Sequence, residues 1–472
     1  MSSQSGAADL VVFGPPGTGK TTFLVEQARA APGLVTFCSH TKTAARTALR
    51  MAGSEQWEAS TVHSLCFRSL GLSRAQVVSD TNLRLFAKQA GFMLGTDEDK
   101  PTELRFFLHA LSYSRNTNTT PDQSFEVCGA QGSRSEYSRF IEHYTEWKEA
   151  FGFVDYTDML QLVVDRGLVA RLGTLVVDEA QDLSPLQWRV VARMSEVAER
   201  VIVAGDDDQA IYQWAGADPH GMVQFADSRD CRVTVLSQSY RVPRAVHTTA
   251  HHIAGRMRSR QHKEYMARDA DGHIDQVQTL TKQALRDLYK KGSILMLFRN
   301  RYSRGKYERL LLEECVPYVT ETGSSPLQRK GGKAFVQLRS RRWHEPNDVR
   351  VIRSGLTASG LEVAEAEGYS GVLGNIDAGR AGDMLNLAAR EVDYMMAVRT
   401  DARPVDLRTI HSSKGMEAES VIVISSMTPS TLDSFYRDAD AEHRVAYVAA
   451  TRARSNLLIV NNDNAYPYPT RS

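Results

Sequence analysis

Short runs rich in apolar residues recur along the 472-residue chain, each three to five residues long. They form an early set at residues 10–13, 34–37, 175–177, 201–204 and 233–236, and a late set at residues 294–298, 407–410, 421–424 and 457–460. Continuous apolar runs of this length are typical of parallel strands that are buried on both faces. Helical or loop stretches separate the runs, so the pattern predicts an α/β fold with two layered sheets.

Two stretches interrupt this pattern. Between about residues 76 and 165 the apolar positions take a helical spacing, as in the sets Leu83, Phe86, Ala87, Ala90 and Tyr137, Phe140, Ile141, Tyr144. Between about residues 325 and 400 the chain is polar and rich in glycine and arginine, and its periodicity is weaker. The first stretch predicts a helical insertion in the early layer, and the second predicts a small insertion in the late layer.

Composition excludes several classes of protein and leaves nucleic acid open as a partner. Lys and Arg total 57 against 56 for Asp and Glu, so net charge neither favours nor excludes a nucleic-acid track. The five cysteines are widely spaced and include no CxxC pair, which argues against a disulfide framework or a zinc ribbon and fits a reducing cytoplasm. The sequence shows neither a secretory signal pattern nor an apolar run of the roughly 20 residues that a membrane span needs.

The first predicted strand is followed by a glycine-rich loop and then by a predicted helix. The loop consists of Gly14, Pro15, Pro16, Gly17, Thr18, Gly19, Lys20 and Thr21, with Thr22 as the next residue. This is the GxxxxGK[ST] pattern in the strand–loop–helix setting that it requires. Glycines let backbone N–H groups turn toward phosphate oxygens, and the start of the helix adds a positive dipole. We therefore expect Lys20 to reach the β- and γ-phosphates of a nucleotide and Thr21 to ligate Mg²⁺.

Polar side chains follow two later strands of the early set. Asp178 and Glu179 come directly after the run at 175–177, and Gln209 follows the run at 201–204. Open α/β sheets bind ligands at the carboxyl ends of their strands, so these side chains belong at the same edge as the loop. An Asp-Glu pair by itself is usually a solvated strand end. Beside a phosphate loop, we interpret Asp178 as a Mg²⁺ ligand, Glu179 as the general base that polarises water, and Gln209 as a sensor of the γ-phosphate.

Eight segments, taken in order, resemble the motifs of one known family. They are residues 14–21, 39–45 (SHTKTAA), 61–64 (TVHS), 178–182 (DEAQD), 205–218 (GDDDQAIYQWAGAD), 238–241 (QSYR), 409–417 (TIHSSKGME) and 447–453 (YVAATRA). This set is similar to that of the UvrD/Rep/PcrA family of superfamily-one DNA helicases. The resemblance implies two RecA-like P-loop NTPase domains, with parallel sheets flanked by helices, and an inserted subdomain in each.

The resemblance also implies a division of the chain and further roles around ATP. The first RecA-like domain is expected at residues 1–75 and 166–235 with a helical insertion at 76–165, and the second at residues 236–325 and 400–472 with a short insertion at 326–399. Arg241 and Arg452 would act as arginine fingers on the transferring phosphoryl group. Tyr240 would stack on the adenine, and Glu417 would bind the ribose.

For nucleic acid, Trp214 and Tyr212 are the candidate base-stacking residues, because they follow Gln209 closely in the sequence. Stacking tolerates any base and contributes about 1–3 kcal/mol per base, which suits a motor moving over any sequence. The alternative is an aromatic pair packed in the domain core. Thr61, His63, Thr409 and His411 are candidate contacts to the phosphate backbone, and His40 stands where the family usually has an aromatic residue that stacks on DNA.

These features predict an ATP- and Mg²⁺-dependent motor on nucleic acid. The resemblance implies a DNA helicase that moves 3′-to-5′ on single-stranded DNA and acts at junctions of single- and double-stranded DNA. The short second insertion leaves an alternative open, namely a DNA-stimulated translocase subunit of a larger replication, recombination or defence complex. An accessory protein or a second copy of the chain would then be its partner. A non-catalytic module on the same fold would need decayed chemistry, whereas Lys20, Asp178 and Glu179 are all present.

Overall fold

The computed structural model describes residues 8–31, 33–39, 42–93, 102–129, 131–167, 172–341, 343, 345–399, 402–461 and 466–467. The chain divides into two compact units. Unit 1 comprises Met1–Tyr240 and Arg258–Met266, and unit 2 comprises Arg241–Met257 and Ala267–Ser472. The segment Arg258–Met266 thus belongs to unit 1, although we predicted it as part of the second RecA-like domain. The finer division into four subdomains stays a prediction.

Unit 1 is built on a six-stranded parallel sheet. Its strands are β1 (Leu10–Phe13), β2 (Val35–Ser39), β3 (Trp57–Ser60), β4 (Leu172–Asp178), β5 (Ala198–Gly205) and β6 (Arg232–Val235), in the spatial order β3-β2-β4-β5-β1-β6. Its helices are α1 (Lys20–Arg29), α2 (Lys42–Ala52), α3 (Val62–Ser69), α4 (Asp80–Ala90), α5 (Glu103–Thr117), α6 (Pro121–Val127), α7 (Arg134–Phe151), α8 (Tyr156–Arg166), α9 (Pro185–Val197) and α10 (Gly221–Arg229). Every strand of the early predicted set is present.

Both faces of this sheet are buried, which explains the continuous apolar runs. Alternate residues of β1 point to opposite sides: Val11 packs in a cluster with α3, α8, α9 and α10, and Val12 packs in a second cluster with α1 and α2. Both side chains are fully buried. A parallel sheet covered by helices on both faces presents its strand ends at the edges, and the carboxyl edge is where loops are free to form a site.

Helices α4–α7, in the stretch predicted as a helical insertion, share an aromatic core of their own, whereas α8 packs in the cluster that covers one face of the sheet. Phe86, Phe107 and Phe140 are each at most 1 % exposed, and the ring centroids of Phe86 and Phe140 lie 6.1 Å apart in an edge-to-face arrangement. Such ring pairs contribute about 0.5–1.5 kcal/mol beyond the burial of their surface. The helical spacing of aromatic residues in the sequence therefore marks a packed cluster.

In the sequence between the strands of the two large sheets, β7 (Gln238–Pro243) and β8 (Met266–Arg268) pair with each other. Unit 2 has a second six-stranded parallel sheet, formed by β9 (His273–Val277), β10 (Ile294–Phe298), β11 (Tyr318–Thr320), β12 (Val405–Thr409), β13 (Ala418–Ile424) and β15 (Ala453–Val460), in the spatial order β11-β12-β10-β13-β15-β9. A short pair, β14 (Ser426–Met427) and β16 (Tyr466–Pro467), is antiparallel. The helices are α11 (Arg244–Ala254), α12 (Lys282–Lys291), α13 (Arg304–Glu313), α14 (Lys330–Ser340), α15 (Pro346–Gly355), α16 (Ala358–Asn375), α17 (Ala381–Met384), α18 (Ala389–Ala397), α19 (Pro429–Arg437) and α20 (Ala439–Ala450).

The second predicted insertion is helical and shares its core with the sheet of unit 2. Phe335 of α14, Ile352 of α15 and Tyr394 of α18 belong to the same buried cluster as Met296 and Leu407 of the sheet. The weak periodicity of this stretch in the sequence has a structural cause, because α16 is broken at Gly368, where φ is 69° and ψ is −176°. Helices interrupted in this way lose the long apolar repeat by which a helix is detected.

The fold class is confirmed: the chain is an α/β protein with parallel sheets flanked by helices, as expected of two RecA-like domains. Strands β3, β9 and β11, which the apolar runs did not predict, lie at edges of the two sheets. These three strands pair on one side only and lack a continuous apolar run, whereas β6, the remaining edge strand, lies in the predicted run at residues 233–236. In the part of the chain that the structure describes, we find no helix long and apolar enough to cross a membrane.

Candidate nucleotide and nucleic-acid sites

The phosphate loop of unit 1 has the shape that its glycines permit. Gly17 and Gly19 have φ angles of 73° and 77°, in the left-handed region that costs a residue with a Cβ atom free energy. Thr18 Oγ1 donates a hydrogen bond of 2.8 Å to the carbonyl oxygen of Pro15, which holds the turn together. Helix α1 then begins at Lys20. The loop is therefore a preformed concave stretch of backbone at the amino end of a helix.

Gly14 is required at the base of this loop for a steric reason. Its N–H donates to the carbonyl oxygen of Gly205 at 2.9 Å, which joins the ends of β1 and β5. A Cβ atom on Gly14 would lie 2.1 Å from Cγ of Lys20. The Lys20 ammonium donates a 2.7 Å hydrogen bond to the Gly14 carbonyl oxygen, so the lysine side chain lies along the loop.

Thr21 and Asp178 meet beneath the loop, although 157 positions separate them in the sequence. Asp178 is the last residue of β4 and is 2 % exposed. The hydroxyl of Thr21 donates to Asp178 Oδ2 at 2.9 Å. Burial and then the nearby charge of Glu179 raise the pKa of Asp178 to about 6, although Lys20 and the Thr21 hydrogen bond oppose this shift. The two predicted metal ligands are thus side by side and form a set of hard oxygen donors.

Glu179 has an unusual backbone conformation and is connected to the next strand. Its φ of 56° lies in the left-handed region, which is uncommon outside glycine and recurs at functional sites. The N–H of Glu179 donates to Asp178 Oδ1 at 2.9 Å. The amide of Gln181 donates to Glu179 Oε2 at 2.5 Å, and its oxygen accepts from the N–H of Asp206 at 2.9 Å. Gln181 was not predicted as a site residue, yet it links the carboxyl ends of β4 and β5.

Gln209, the predicted γ-phosphate sensor, lies in a short turn after β5. It is 5 % exposed, and its side-chain amide donates to Asp206 Oδ2 at 2.6 Å. Three consecutive aspartates, Asp206, Asp207 and Asp208, are at most 2 % exposed at this point. The structure therefore brings Gln209 to the edge of the sheet that carries the phosphate loop, within a buried acidic cluster.

Tyr240, the predicted adenine-stacking residue, is held against the phosphate loop. Its N–H donates to the carbonyl oxygen of Gly17 at 2.8 Å, and the hydroxyl of Ser239 donates to the carbonyl oxygen of Pro16 at 2.7 Å. The aromatic side chain of Tyr240 is 68 % exposed. An exposed ring anchored beside a phosphate loop is suitably placed to stack on a nucleotide base.

In unit 2, the carboxylate of Glu417 is bound by two arginines. Arg241 Nε donates to one of its oxygens, and Arg454 Nη1 donates to the other at 2.8 Å. Burial opposes the charged form, but Arg241 and Arg454 together hold the pKa of Glu417 below its ordinary value. Arg454 was not predicted as a site residue. The predicted ribose ligand and the predicted arginine finger Arg241 are thus brought together as an ion pair.

Arg452, the other predicted arginine finger, is 1 % exposed. Its Nε donates to the carbonyl oxygen of Val448 at 3.0 Å, and its Nη1 donates to that of Met416 at 3.4 Å. Both contacts lie within unit 2. The side chain is therefore positioned by α20 and by the segment that precedes β13.

Thr61 and His63 lie at the start of α3, close to Asp178. Thr61 is the N-cap of this helix, and its hydroxyl oxygen accepts from the N–H of Ser64 at 3.2 Å. The ring of His63 meets that of Tyr156 edge to face at 5.7 Å. Thr61, His63 and Asp178 line a common cavity of about 60 Å³. The structure thus places these two candidate backbone contacts beside the candidate metal ligand.

Trp214 is 58 % exposed, which argues against the alternative that it packs in the core. Its ring lies 6.4 Å from that of Tyr212 and 5.9 Å from that of His109 of α5, measured between centroids. Tyr212 is half-buried, and burial, reinforced by the charges of Asp182 and Glu179, raises the pKa of its hydroxyl to about 12. His109 was missed because a lone histidine on a helix gives no signal in the sequence.

In unit 2, Thr409 and His411 lie at the end of β12 and in the turn that follows. The hydroxyl of Thr409 donates to Glu321 Oε2 at 3.1 Å, and the hydroxyl of Ser412 donates to the same oxygen. Glu321 therefore orients this turn, a role that the sequence did not indicate. The remaining predicted residue, His40, lies outside the described residues.

Two models of one helicase family match the chain. The UvrD/REP helicase N-terminal domain matches residues 2–230, and the UvrD-like helicase C-terminal domain matches residues 384–464. Together they cover more than half of the sequence. The chain belongs to the UvrD/Rep helicase family.

Within this family the individual relatives are distant. The chain is 23 % identical to the ATP-dependent DNA helicase PcrA of Bacillus subtilis (strain 168), over 75 % of this chain and 54 % of that protein. It is 19 % identical to the ATP-dependent DNA helicase Rep of Buchnera aphidicola subsp. Schizaphis graminum (strain Sg), over 69 % of this chain and 57 % of that protein. The chain thus spans about half the length of the curated relatives that it matches.

Among solved structures, the chain resembles the crystal structure of Arterivirus nonstructural protein 10, a helicase. Sequence identity is 14 %, the match covers 96 % of this chain and 59 % of that one, and the TM-score is 0.36. A likeness of this size bears on no residue's role. The assignment to the UvrD/Rep family rests on the two family models.

Proposed function

We propose that this UvrD/Rep family member hydrolyses ATP with Mg²⁺ and uses the free energy to move along single-stranded DNA and separate strands, with 3′-to-5′ polarity. The observation that carries the proposal is the hydrogen bond between Thr21 and Asp178 beneath the phosphate loop. A strand end, a loop and a helix converge there on a pair of oxygen ligands. The chain's similarity to PcrA and Rep, which are ATP-dependent DNA helicases, supports the proposal.

The residues present fit a nucleoside triphosphate with its cation. The loop backbone is concave, its base excludes any side chain at Gly14, and Lys20 supplies a positive charge. Thr21 and Asp178 offer a hydroxyl and a carboxylate, which are donors that Mg²⁺ prefers. Burial and the neighbouring charge of Glu179 raise the pKa of Asp178, and a divalent cation bound at this point would favour the charged carboxylate.

The chemistry then follows from the positions of these side chains. Lys20 would hold the β- and γ-phosphates, while Thr21 and Asp178 would hold Mg²⁺, which neutralises phosphate charge when bound. Glu179, at the end of the same strand, would accept a proton from water. Gln181 connects Glu179 to Asp206 and hence to the turn that carries Gln209. A change at the γ-phosphate can therefore be transmitted to the turn that continues to Trp214.

Trp214 supports nucleic acid as the track. It is an exposed ring beside the half-buried Tyr212, a few residues after Gln209. Base stacking on such rings does not depend on sequence. Thr61 and Thr409 would contact the phosphate backbone on unit 1 and unit 2.

The first test is strand displacement by the purified protein on duplexes with a 3′ or a 5′ single-stranded tail, with ATP and Mg²⁺. We expect displacement from the 3′ tail only, and its loss in Lys20→Ala. Displacement from the 5′ tail alone would contradict the polarity, and absence of any ATP hydrolysis with DNA present would contradict the activity.

A second candidate function is a translocase subunit that unwinds DNA only with a partner. The observation in its favour is the shortness of the second predicted insertion, residues 326–399, which packs into the buried core of the sheet of unit 2, as Phe335 and Leu407 show. DNA-stimulated ATP hydrolysis without displacement from either tail would support this candidate over the first.

A further inference from the structure

A buried ionic cluster follows β5 in unit 1, and none of the sequence motifs accounts for its cations. Asp206, Asp207 and Asp208 are at most 2 % exposed, and Lys263 is 3 % exposed. The Lys263 ammonium pairs with Asp207, and it lies 3.2 Å from Asp206 Oδ1 and 3.1 Å from Asp208 Oδ2. Arg260 binds Asp208 through two hydrogen bonds of 2.7 and 2.6 Å. Three buried carboxylates therefore share two cations, of which Lys263 is buried and Arg260 is partly exposed.

Both cations come from the segment Arg258–Met266, far from the aspartates in the sequence. The segment is also bound through its backbone, since the N–H of Gln261 donates to Asp207 Oδ2 at 2.7 Å. At its end, the N–H of Met266 donates to the carbonyl oxygen of Ser237 at 2.7 Å. Lys263 therefore has little freedom to leave the cluster while the segment stays bound.

Lys263 lies where the candidate catalytic strands end. Its ammonium is 5.9 Å from the ring centroid of Phe13, the residue before the phosphate loop. Asp206, which Lys263 contacts through Oδ1, uses Oδ2 to accept the side-chain amide of Gln209 at 2.6 Å. Lys263 and Gln209 thus hold the two oxygens of one carboxylate. Moving or rotating that carboxylate would move the amide of Gln209.

We propose that Lys263 is a positioning residue for Gln209, fixing the Asp206 carboxylate in the orientation from which it holds the Gln209 amide. This inference rests on the proposed function, because Gln209 matters only if the chain hydrolyses ATP. The electrostatics are consistent with it. Burial opposes a charge on Lys263, yet the three aspartates raise the pKa of its ammonium above the ordinary value.

Removing Lys263 alone would leave three buried carboxylates with one cation, which can unfold unit 1. The test variant is therefore Lys263→Met combined with Asp207→Asn, which removes one charge of each sign. Asp206, Asp208 and Arg260 keep their charges. The matched control is Lys148→Met with Asp158→Asn in the helical insertion, where Lys148 is 7 % exposed and lies 2.7 Å from Asp155 and 2.5 Å from Asp158.

The measurement is steady-state ATP hydrolysis with saturating single-stranded DNA, together with thermal unfolding. We expect the Lys263 double variant to lower kcat by about 10- to 100-fold with little change in the KM for ATP, because a misplaced catalytic contact costs that much. The Lys148 double variant should leave kcat and KM at wild-type values. Equal losses in both double variants, or a wild-type kcat in the Lys263 variant, would overturn the inference.

A double-mutant cycle separates positioning from general structural damage. If Lys263 acts through Gln209, adding the Lys263 double variant to Gln209→Ala should lower kcat little further than Gln209→Ala alone. Independent losses that multiply would overturn the inference while leaving the proposed function intact. A wild-type protein that shows no ATP hydrolysis with DNA would overturn the proposed function first and the inference with it.

Discussion

At the scale of single residues, the candidate chemistry depends on side chains that meet because parallel strands end at one edge. Thr21 and Asp178 are far apart in the sequence and 2.9 Å apart in the structure. The sequence predicts this pair because Asp178 follows the apolar run at 175–177 and Thr21 ends the phosphate loop that follows the run at 10–13. It does not predict Gln181 or Lys263, because their contacts are made by side chains from turns and segments that have no regular pattern.

Substitution of Glu179 should slow ATP hydrolysis while leaving ATP binding largely unchanged. Glu179→Gln retains the size and the hydrogen-bonding capacity of the side chain but cannot accept a proton from water. We expect kcat for ATP hydrolysis to fall by about 10²- to 10⁴-fold, the usual contribution of a general base. Binding of a fluorescent ATP analogue should change little. Glu196→Gln on α9, an exposed position, is the control, and an equal loss there would contradict the assignment.

Trp214 is expected to carry a measurable part of the affinity for single-stranded DNA. Trp214→Ala should weaken binding of a labelled oligonucleotide by about 1–3 kcal/mol. Fluorescence anisotropy of the oligonucleotide measures this change. Phe151→Ala is the matched control, because Phe151 is 56 % exposed against 58 % for Trp214. Equal affinities of the two variants would show that Trp214 does not stack on bases.

At the scale of elements, the central strands of both sheets were predictable, whereas of the four edge strands only β6 was predicted. The bounds 10–13 and 294–298 agree with β1 and β10, because these strands are buried on both faces and their apolar runs are continuous. Strand β3 (Trp57–Ser60) was missed, since its middle residues Glu58 and Ala59 are only partly buried at the sheet edge. A continuous apolar run makes a strand visible in a sequence, and burial on both faces favours such a run.

The helical insertion should owe its stability to its aromatic core. Phe140→Ala removes a fully buried ring and should lower the free energy of unfolding by about 3–5 kcal/mol, measured by chemical denaturation. Phe151→Ala in the same helix should cost much less, because that ring is largely exposed. Similar losses in the two variants would mean that the cluster around Phe140 contributes little.

At the scale of the whole molecule, the sequence predicted two α/β layers and two interruptions, but not the path of the chain between units. Segment Arg258–Met266 follows α11 of unit 2 in the sequence but belongs to unit 1. Its residues have no apolar repeat, and its attachment depends on ion pairs to Asp207 and Asp208. Pairings of this kind depend on three-dimensional position, so neither periodicity nor local propensity indicates them.

The cysteines provide a test of how unit 1 holds together as a whole. Burial raises the pKa of the Cys66 thiol to about 12 from the ordinary 9.0 and raises that of Cys38 as well. With a pKa of about 12 in place of 9.0, the reactive thiolate fraction of Cys66 at pH 8 falls about a thousandfold. We therefore expect Cys66 and Cys38 to be alkylated at pH 8 only after denaturation, as followed by peptide mass spectrometry. Cys315 of unit 2 is only partly buried and serves as the internal comparison.

The return of the chain at Arg258–Met266 also bears on how such a protein can be divided or recombined. A gene fragment ending at Tyr240 would encode the whole first sheet but would lack Lys263 and Arg260, and so would leave three interior carboxylates without their counterions. Each unit consists of two separate segments of the chain, so a single crossover could not transfer either unit as a whole to another protein. Exchange between relatives would conserve function only if the aspartates and the cationic segment were inherited together.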